Sequence, residues 1–211
     1  MKRISFNDEM MRAWLEGRKT VTRRLMKPQP KDHHHWDTLP GYEFEHKMMD
    51  CIDGLHCKFW HYIPGRFIDG EQWIRSPYSP GETVFIAERY STHVRIENPY
   101  YLPPDYPDEA MGIHYWADGN PIYGDWETPK SPVTMPEWAS RSKAIIKSIR
   151  PERVREITAP DIRNEGTPDT PHDSNCLIAE RQSFIDLWDS LYPGSWERND
   201  WVWRYGLERV G

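Results

Sequence analysis

Between Gly17 and Arg24 the chain reads Gly-Arg-Lys-Thr-Val-Thr-Arg-Arg, with four basic side chains in the seven residues from Arg18 onward. Cations clustered at a loop–strand junction suit phosphate contact, which makes Arg18, Lys19, Arg23 and Arg24 candidates for holding a polyanion. A lysine crowded by arginines is also shifted toward its neutral, basic form by like charge. A second set, His33, His34, His35, His46, Cys51, His56, Cys57 and His61, offers zinc-type ligands, although Cys-x5-Cys is not a standard knuckle spacing. Nothing around Cys51, Cys57 or Cys176 marks a nucleophile. The 11 tryptophans include candidates for a base-stacking platform, and the same residues serve equally as core. Gly-rich phosphate loops, a Ser-His-Asp order and dinucleotide fingerprints are absent from the sequence. No metal and no cofactor is expected.

Charge is unevenly placed. The 211 residues carry a net −6, which argues against indiscriminate polyanion binding, yet residues 1–31 hold nine basic and three acidic side chains. Residues 97–127 hold seven acidic side chains and no Lys or Arg, while 141–163 holds seven basic against three acidic. The two basic segments either converge into one patch or form unrelated solvated faces. No apolar run approaches the ~18 residues of a membrane helix. No apolar stretch follows Met1-Lys2-Arg3, so no secretory leader is expected. Three cysteines fit a reducing compartment, and a cytoplasmic protein is expected.

The elements that must position these residues start with a helix. Asn7 is its N-cap, Asp8 and Glu9 suit its positive end, Met11, Trp14 and Leu15 form its stripe, and Gly17 ends it. Residues 19–24 read as a strand, with Lys19, Val21 and Arg23 on one face and Thr20, Thr22 and Arg24 on the other. From Pro28 to Pro80 no period lasts, beyond a short hairpin expected around Phe67–Ile74. Thr83–Tyr90 is the clearest strand, and His114–Ala117 is a short one. A strand over Ser140–Ile149 is expected to break at Pro151 and resume at 153–157. A short helix capped at Thr158 ends at Glu165-Gly166. A long helix spans 175–192, its face formed by Leu177, Arg181, Phe184, Ile185, Trp188, Leu191 and Tyr192. A strictly alternating strand over 201–210 closes the chain.

Four ordered blocks resemble the ASCH domain family of the PUA-like superfamily. They are Gly17–Arg24 after an amphipathic helix, Pro80-Gly81-Glu82-Thr83-Val84-Phe85-Ile86, Ile149 through Gly166, and Trp201-Val202-Trp203 after Asn199. Together with Met135–Arg141 they resemble large phage and prophage members. The resemblance covers roughly half of the chain and implies an α+β fold, a mixed β-barrel with a few flanking helices and long irregular insertions. One domain over 1–211 is expected, with 32–76 and 91–130 as insertions outside the common core.

The family also implies a cleft for nucleic acid or a modified nucleoside, between the helix–strand start and the Glu-Gly turn. Some members are amidohydrolases acting on N4-acetylcytidine with a Lys, a Thr and a Glu. By motif position these are Lys19, Thr22 and Glu165, with Arg18, Thr20, Arg23, Arg24 and Arg141 holding the ligand. Amide hydrolysis needs a nucleophile, a base and an oxyanion donor. Lys19 and Thr22 lie on opposite faces of a regular strand, so they cooperate only if the segment kinks. The structural alternative is a Lys19–Glu165 ion pair and β-forming threonines. RNA or a nucleoside is the expected partner, without a membrane. The alternative function is a non-enzymatic accessory factor that contacts a host protein through its acidic insertions.

Overall fold

A computed structural model describes residues 1–30, 56–59, 62–63, 66–67, 72–93, 112–122, 124–167 and 176–210. Its strands are β1 (Lys2–Ser5), β2 (Val21–Leu25), β3 (His56–Phe59), β4 (Tyr62–Ile63), β5 (Arg66–Phe67), β6 (Gln72–Arg75), β7 (Thr83–Ala87), β8 (Tyr90–Thr92), β9 (Ile113–Tyr115), β10 (Lys143–Arg153) and β11 (Trp201–Val210). Its helices are α1 (Asp8–Leu15), α2 (Ala159–Asn164), α3 (Cys176–Leu191) and α4 (Ser195–Arg198). The fold is α+β. Five strands form one mixed sheet in the order β1-β7-β10-β11-β2, parallel only between β1 and β7.

The expected barrel does not close, because β1 and β2 are not paired to each other. The sheet nevertheless curls. Four strand spacings of a flat sheet would put β1 and β2 about 19 Å apart, beyond the reach of one side chain. Instead Arg24 of β2 donates to the Ser5 carbonyl at 2.7 Å. Lys19, just before β2, places its ammonium 5.0 Å from the ring centre of Phe6, just after β1. An unpaired seam therefore runs between the two edges.

Local chemistry explains the elements around that seam. The Asn7 side chain accepts from the Met10 amide at 2.8 Å, and α1 buries Met10, Met11, Ala13 and Trp14. Met10, Met11 and Trp14 pack with Ile4, Val84, Ile86, Ala144 and Ile146, and with Trp201, Trp203, Tyr205 and Leu207. The last four are alternate residues of β11, so they share one face of the strand. Val202, on the opposite face, joins Val154, Ile157, Ile162, Phe184 and Trp188 beneath α2 and α3. The two faces of the sheet thus carry separate cores.

Several sequence expectations need correction. β10 runs unbroken through Pro151, which pairs with Trp203. Its pairing with β7 covers only Lys143–Ile145, so Pro151 lies where one side of the strand has no ladder and its missing N–H costs nothing. Residues 154–156, read as more strand, form a 3-10 turn instead. β5 and β6 do not form a hairpin with each other; β5 pairs with β4 and β6 with β3. On α3, Phe184 and Trp188 are buried as expected, whereas Leu191 and Arg181 are exposed. Among the described residues, no helix is long and apolar enough to cross a membrane.

Candidate functional site

The corner after α1 is built by hydrogen bonds from three directions. The amides of Arg18 and Lys19 both donate to the Ala13 carbonyl, at 2.9 and 3.0 Å, which closes the helix C-terminus. The Thr20 amide donates to Asn164 O at the end of α2 (2.9 Å), and the Leu207 amide of β11 donates to Thr20 O (2.8 Å). On the opposing segment, Thr158 caps α2, and its chain leaves through Gly166 at φ +89°. Only glycine fits that position. A Cβ there would stand 2.6 Å from Ala13 Cβ and 3.2 Å from Lys19 Cβ, and the φ itself disfavours any side chain.

This packing brings Lys19 to Glu165. The buried ammonium donates to Glu165 Oε2 at 2.8 Å, to the Glu165 carbonyl at 2.8 Å and to Val21 O at 2.9 Å. Its three donors are then all occupied. Burial lowers the pKa of Lys19 below the ordinary lysine value, against the opposing charge and hydrogen bond of Glu165.

Arg23 stands beside it, 1% exposed. Its Nε donates to Glu152 (2.5 Å), one terminal nitrogen to Glu165 Oε1 (3.0 Å) and the other to Asp161 (2.9 Å). Each of those carboxylates has a second cation: Arg150 on Glu152, Arg204 on Asp161 and Lys19 on Glu165. Four cations thus face three carboxylates. The strand register explains the assembly, since Arg23 lies opposite Arg204, and Arg204 opposite Arg150. The N-terminal and 141–163 basic segments do converge here, but onto carboxylates. This is the main departure from the expected ligand set, because all three guanidinium nitrogens of Arg23 are already held.

Thr22 points to the other face. Strand alternation puts it with Arg24, opposite Tyr205 and Trp203. It is fully buried, and its hydroxyl oxygen has no hydrogen-bond partner among the described residues. Lys19 and Glu165 therefore meet, while Thr22 is not joined to either of them by a hydrogen bond. The kink that cooperation requires is present in part. Lys19 precedes the regular strand, which starts at Val21, and folds its side chain back along it.

The remaining candidates are spread around this centre. Arg18 pairs with Glu16 and reaches the Gly166 carbonyl at 3.3 Å. Thr20 is exposed at the corner. Arg24 donates to two backbone carbonyls, those of Ser5 and Arg23, and to no carboxylate among the described residues. Arg141 belongs to a different cluster. It lies 4.2 Å from the Tyr115 ring centre and is clamped between Glu88 and Asp118, so its charge is already balanced. Burial raises the pKa of Glu88 even though Arg141 opposes the shift.

Asp161, Glu152, Arg150 and Arg204 escaped the sequence reading. Arg204 sits between Trp203 and Tyr205, which alternate into the core, and by strand period alone such a position faces solvent. Only the pairing of β2, β11 and β10 reveals a row of arginines, and the acids that match them come from a strand end and a helix. Of the histidine–cysteine set, His33, His34, His35, His46, Cys51 and His61 lie outside the described residues. So does much of the acidic 97–127 stretch. The described residues contain no group of three or more His, Cys, Asp or Glu able to hold a metal. Compared with family models, with curated proteins and with solved structures, the chain matches none.

Proposed function

We propose that this chain is an ASCH-type, PUA-like protein that binds RNA or a modified nucleoside in the seam between β1 and β2. The observation that carries this reading is the meeting of Lys19 with Glu165 at 2.8 Å. It joins the Gly-Arg-Lys-Thr corner and the Glu-Gly turn into adjoining walls at one end of the seam, as the family resemblance implies. The sheet supports the reading by leaving its edges unpaired where Arg24 and Lys19 stand. Titration with single-stranded RNA at several salt concentrations tests it. Affinity should fall as salt rises, because phosphate contacts release counterions. Absence of binding at low salt to both RNA and N4-acetylcytidine would leave the reading without support.

A second activity, hydrolysis of the acetyl amide of N4-acetylcytidine, is favoured by the unpartnered hydroxyl of Thr22 and the depressed pKa of Lys19. In that reaction Lys19 first releases a proton to solvent, and the Thr22 oxygen then attacks the acetyl carbon and gives its proton to the neutral amine. The C–N bond then breaks, the proton passes through Glu165 to the departing N4 amine, and water releases acetate. The step requires Lys19 to exchange Val21 O for Thr22, the strand to turn Thr22 toward that face, and the buried hydroxyl to open to the substrate. Release of cytidine by the wild-type protein, lost in Thr22→Val, is the expected result.

A further inference from the structure

At the far end of the seam from Lys19 lies a pocket of about 520 Å³. Its walls include Lys2 of β1, Arg24 of β2, and Lys27, Arg75, Ser76 and Trp203. Four of those six side chains are cations, and no carboxylate among the described residues lines the pocket, in a chain whose net charge is −6. Local charge of one sign in a concave site focuses the field on an anionic ligand.

The balance of each cation sharpens this. Lys2 is neutralised by Glu82 at 3.0 Å and also donates to Pro77 O. Among the described residues Arg24 is held by neutral carbonyls and by no carboxylate, so none of them compensates its charge. Lys27 and Arg75 are exposed, and neither has a carboxylate partner among the described residues. Three positive charges thus converge without an answering anion among the described residues, which suits a phosphate dianion better than a single carboxylate. Arg75 supplies a planar donor fork for phosphate oxygens, and Arg24 adds its charge and the N–H groups that the Ser5 and Arg23 carbonyls leave over. Trp203 and Leu25 add an apolar wall. Ser76 is fixed by its hydrogen bond with the Tyr205 hydroxyl at 3.1 Å and contributes a rigid polar edge.

We infer that this pocket binds the phosphate of a nucleotide, with Arg24, Lys27 and Arg75 holding the phosphate and the Trp203 wall receiving the nucleoside. The choice of a nucleotide rests on the proposed reading of the seam; the anionic character of the ligand rests on the pocket alone. A ligand anchored here would leave its sugar and base, or the next nucleotide, directed along the seam past Arg24 toward Lys19.

Calorimetric titration of the full chain with cytidine, cytidine 5′-monophosphate, inorganic phosphate and a single-stranded oligoribonucleotide tests this. The monophosphate should bind at least tenfold more tightly than cytidine and than inorganic phosphate. The double variant Lys27→Ala/Arg75→Ala alters two exposed side chains, so it should keep the wild-type melting temperature and lose at least tenfold in monophosphate affinity. Equal binding of cytidine and its monophosphate, or unchanged affinity in the double variant, overturns the inference. Equal binding of inorganic phosphate and the monophosphate overturns the choice of nucleotide and, with it, the inference as stated. Oligonucleotide binding that ignores Lys27 and Arg75 overturns the pocket while leaving the proposed function standing. Monophosphate binding that depends on both residues, without any oligonucleotide binding, supports the pocket while the RNA reading fails.

Discussion

Lys19 and Glu165 are 146 positions apart, yet the lysine ammonium takes both the side-chain and the main-chain oxygen of that one glutamate, each at 2.8 Å. The double grip ties the C-terminus of α2 to the corner after α1. It also leaves the second carboxylate oxygen of Glu165 for Arg23. A buried pair of this kind gains little net stability over an apolar substitute, but breaking one side of it costs several kcal/mol. The site is therefore sensitive to single substitutions, and their sizes should follow the pattern of shared partners.

Arg23→Met removes the hub from three carboxylates at once and should destabilise the fold by about 3–5 kcal/mol, the range for breaking a buried ion pair. Lys19→Met should cost less, because Glu165 keeps Arg23 and the network starts with one cation in excess. Arg23→Lys should not rescue, since one ammonium cannot span three carboxylates in different directions. Urea denaturation of the three variants checks the order. Equal losses for Lys19→Met and Arg23→Met would contradict the shared-partner account.

Thr22→Val separates folding from chemistry. The hydroxyl is buried and unpartnered, so its removal relieves a desolvation cost of order 1–3 kcal/mol while keeping the β-branched shape. The variant should melt at or above the wild-type temperature. If the hydroxyl is the nucleophile of the proposed hydrolysis, cytidine release should disappear in this fully folded protein.

Gly166→Ala strikes the contact between the two walls. The added methyl would meet Ala13 Cβ at 2.6 Å in a backbone conformation that L residues avoid. Strained backbone of this kind costs about 1–3 kcal/mol, and the clash adds to it. Thermal melting should show a loss of at least about 2 kcal/mol, larger than for an alanine at Gly17. Gly17 also has positive φ, but no atom lies within 4 Å of its virtual Cβ.

Acid should reveal Asp161. Burial alone would raise its pKa, but the hydrogen bond from Arg204 and the charges of Arg23 and Arg204 outweigh burial and hold it below 3.8. In the unfolded chain the group titrates near 3.8, so its contribution is present above that value and disappears as the pH falls through the lower folded value. Glu88 behaves oppositely. Burial raises its pKa above 4.5, so its contribution is full below 4.5 and is lost as the pH rises through the folded value. The stability gap between wild type and Asp161→Asn should therefore narrow between pH 7 and pH 3. The gap for Glu88→Gln should change in the reverse sense. Denaturant titrations at the two pH values measure both.

The linear order of residues determined the local elements around the site. Asn7 and Thr158 cap their helices, the glycines at 17 and 166 end them, and the alternation over 201–210 marks a strand whose Trp201, Trp203 and Tyr205 share a core. These are nearest-neighbour effects, set by the φ/ψ preferences, side-chain periods and capping chemistry of a few adjacent residues. It also marked the Lys19 corner and the Glu-Gly turn, which the structure brings into direct contact. Tertiary structure alone decided what those residues face. Whether Arg23 meets a phosphate or three carboxylates depends on which strands pair and in what register, and that is set by the cores on both faces of the sheet. The same holds for the sheet that stops short of closing. Its curl and open seam arise from packing of α1 and the strands together, and no single segment encodes the gap in which Lys2, Arg24 and Lys27 come to stand together.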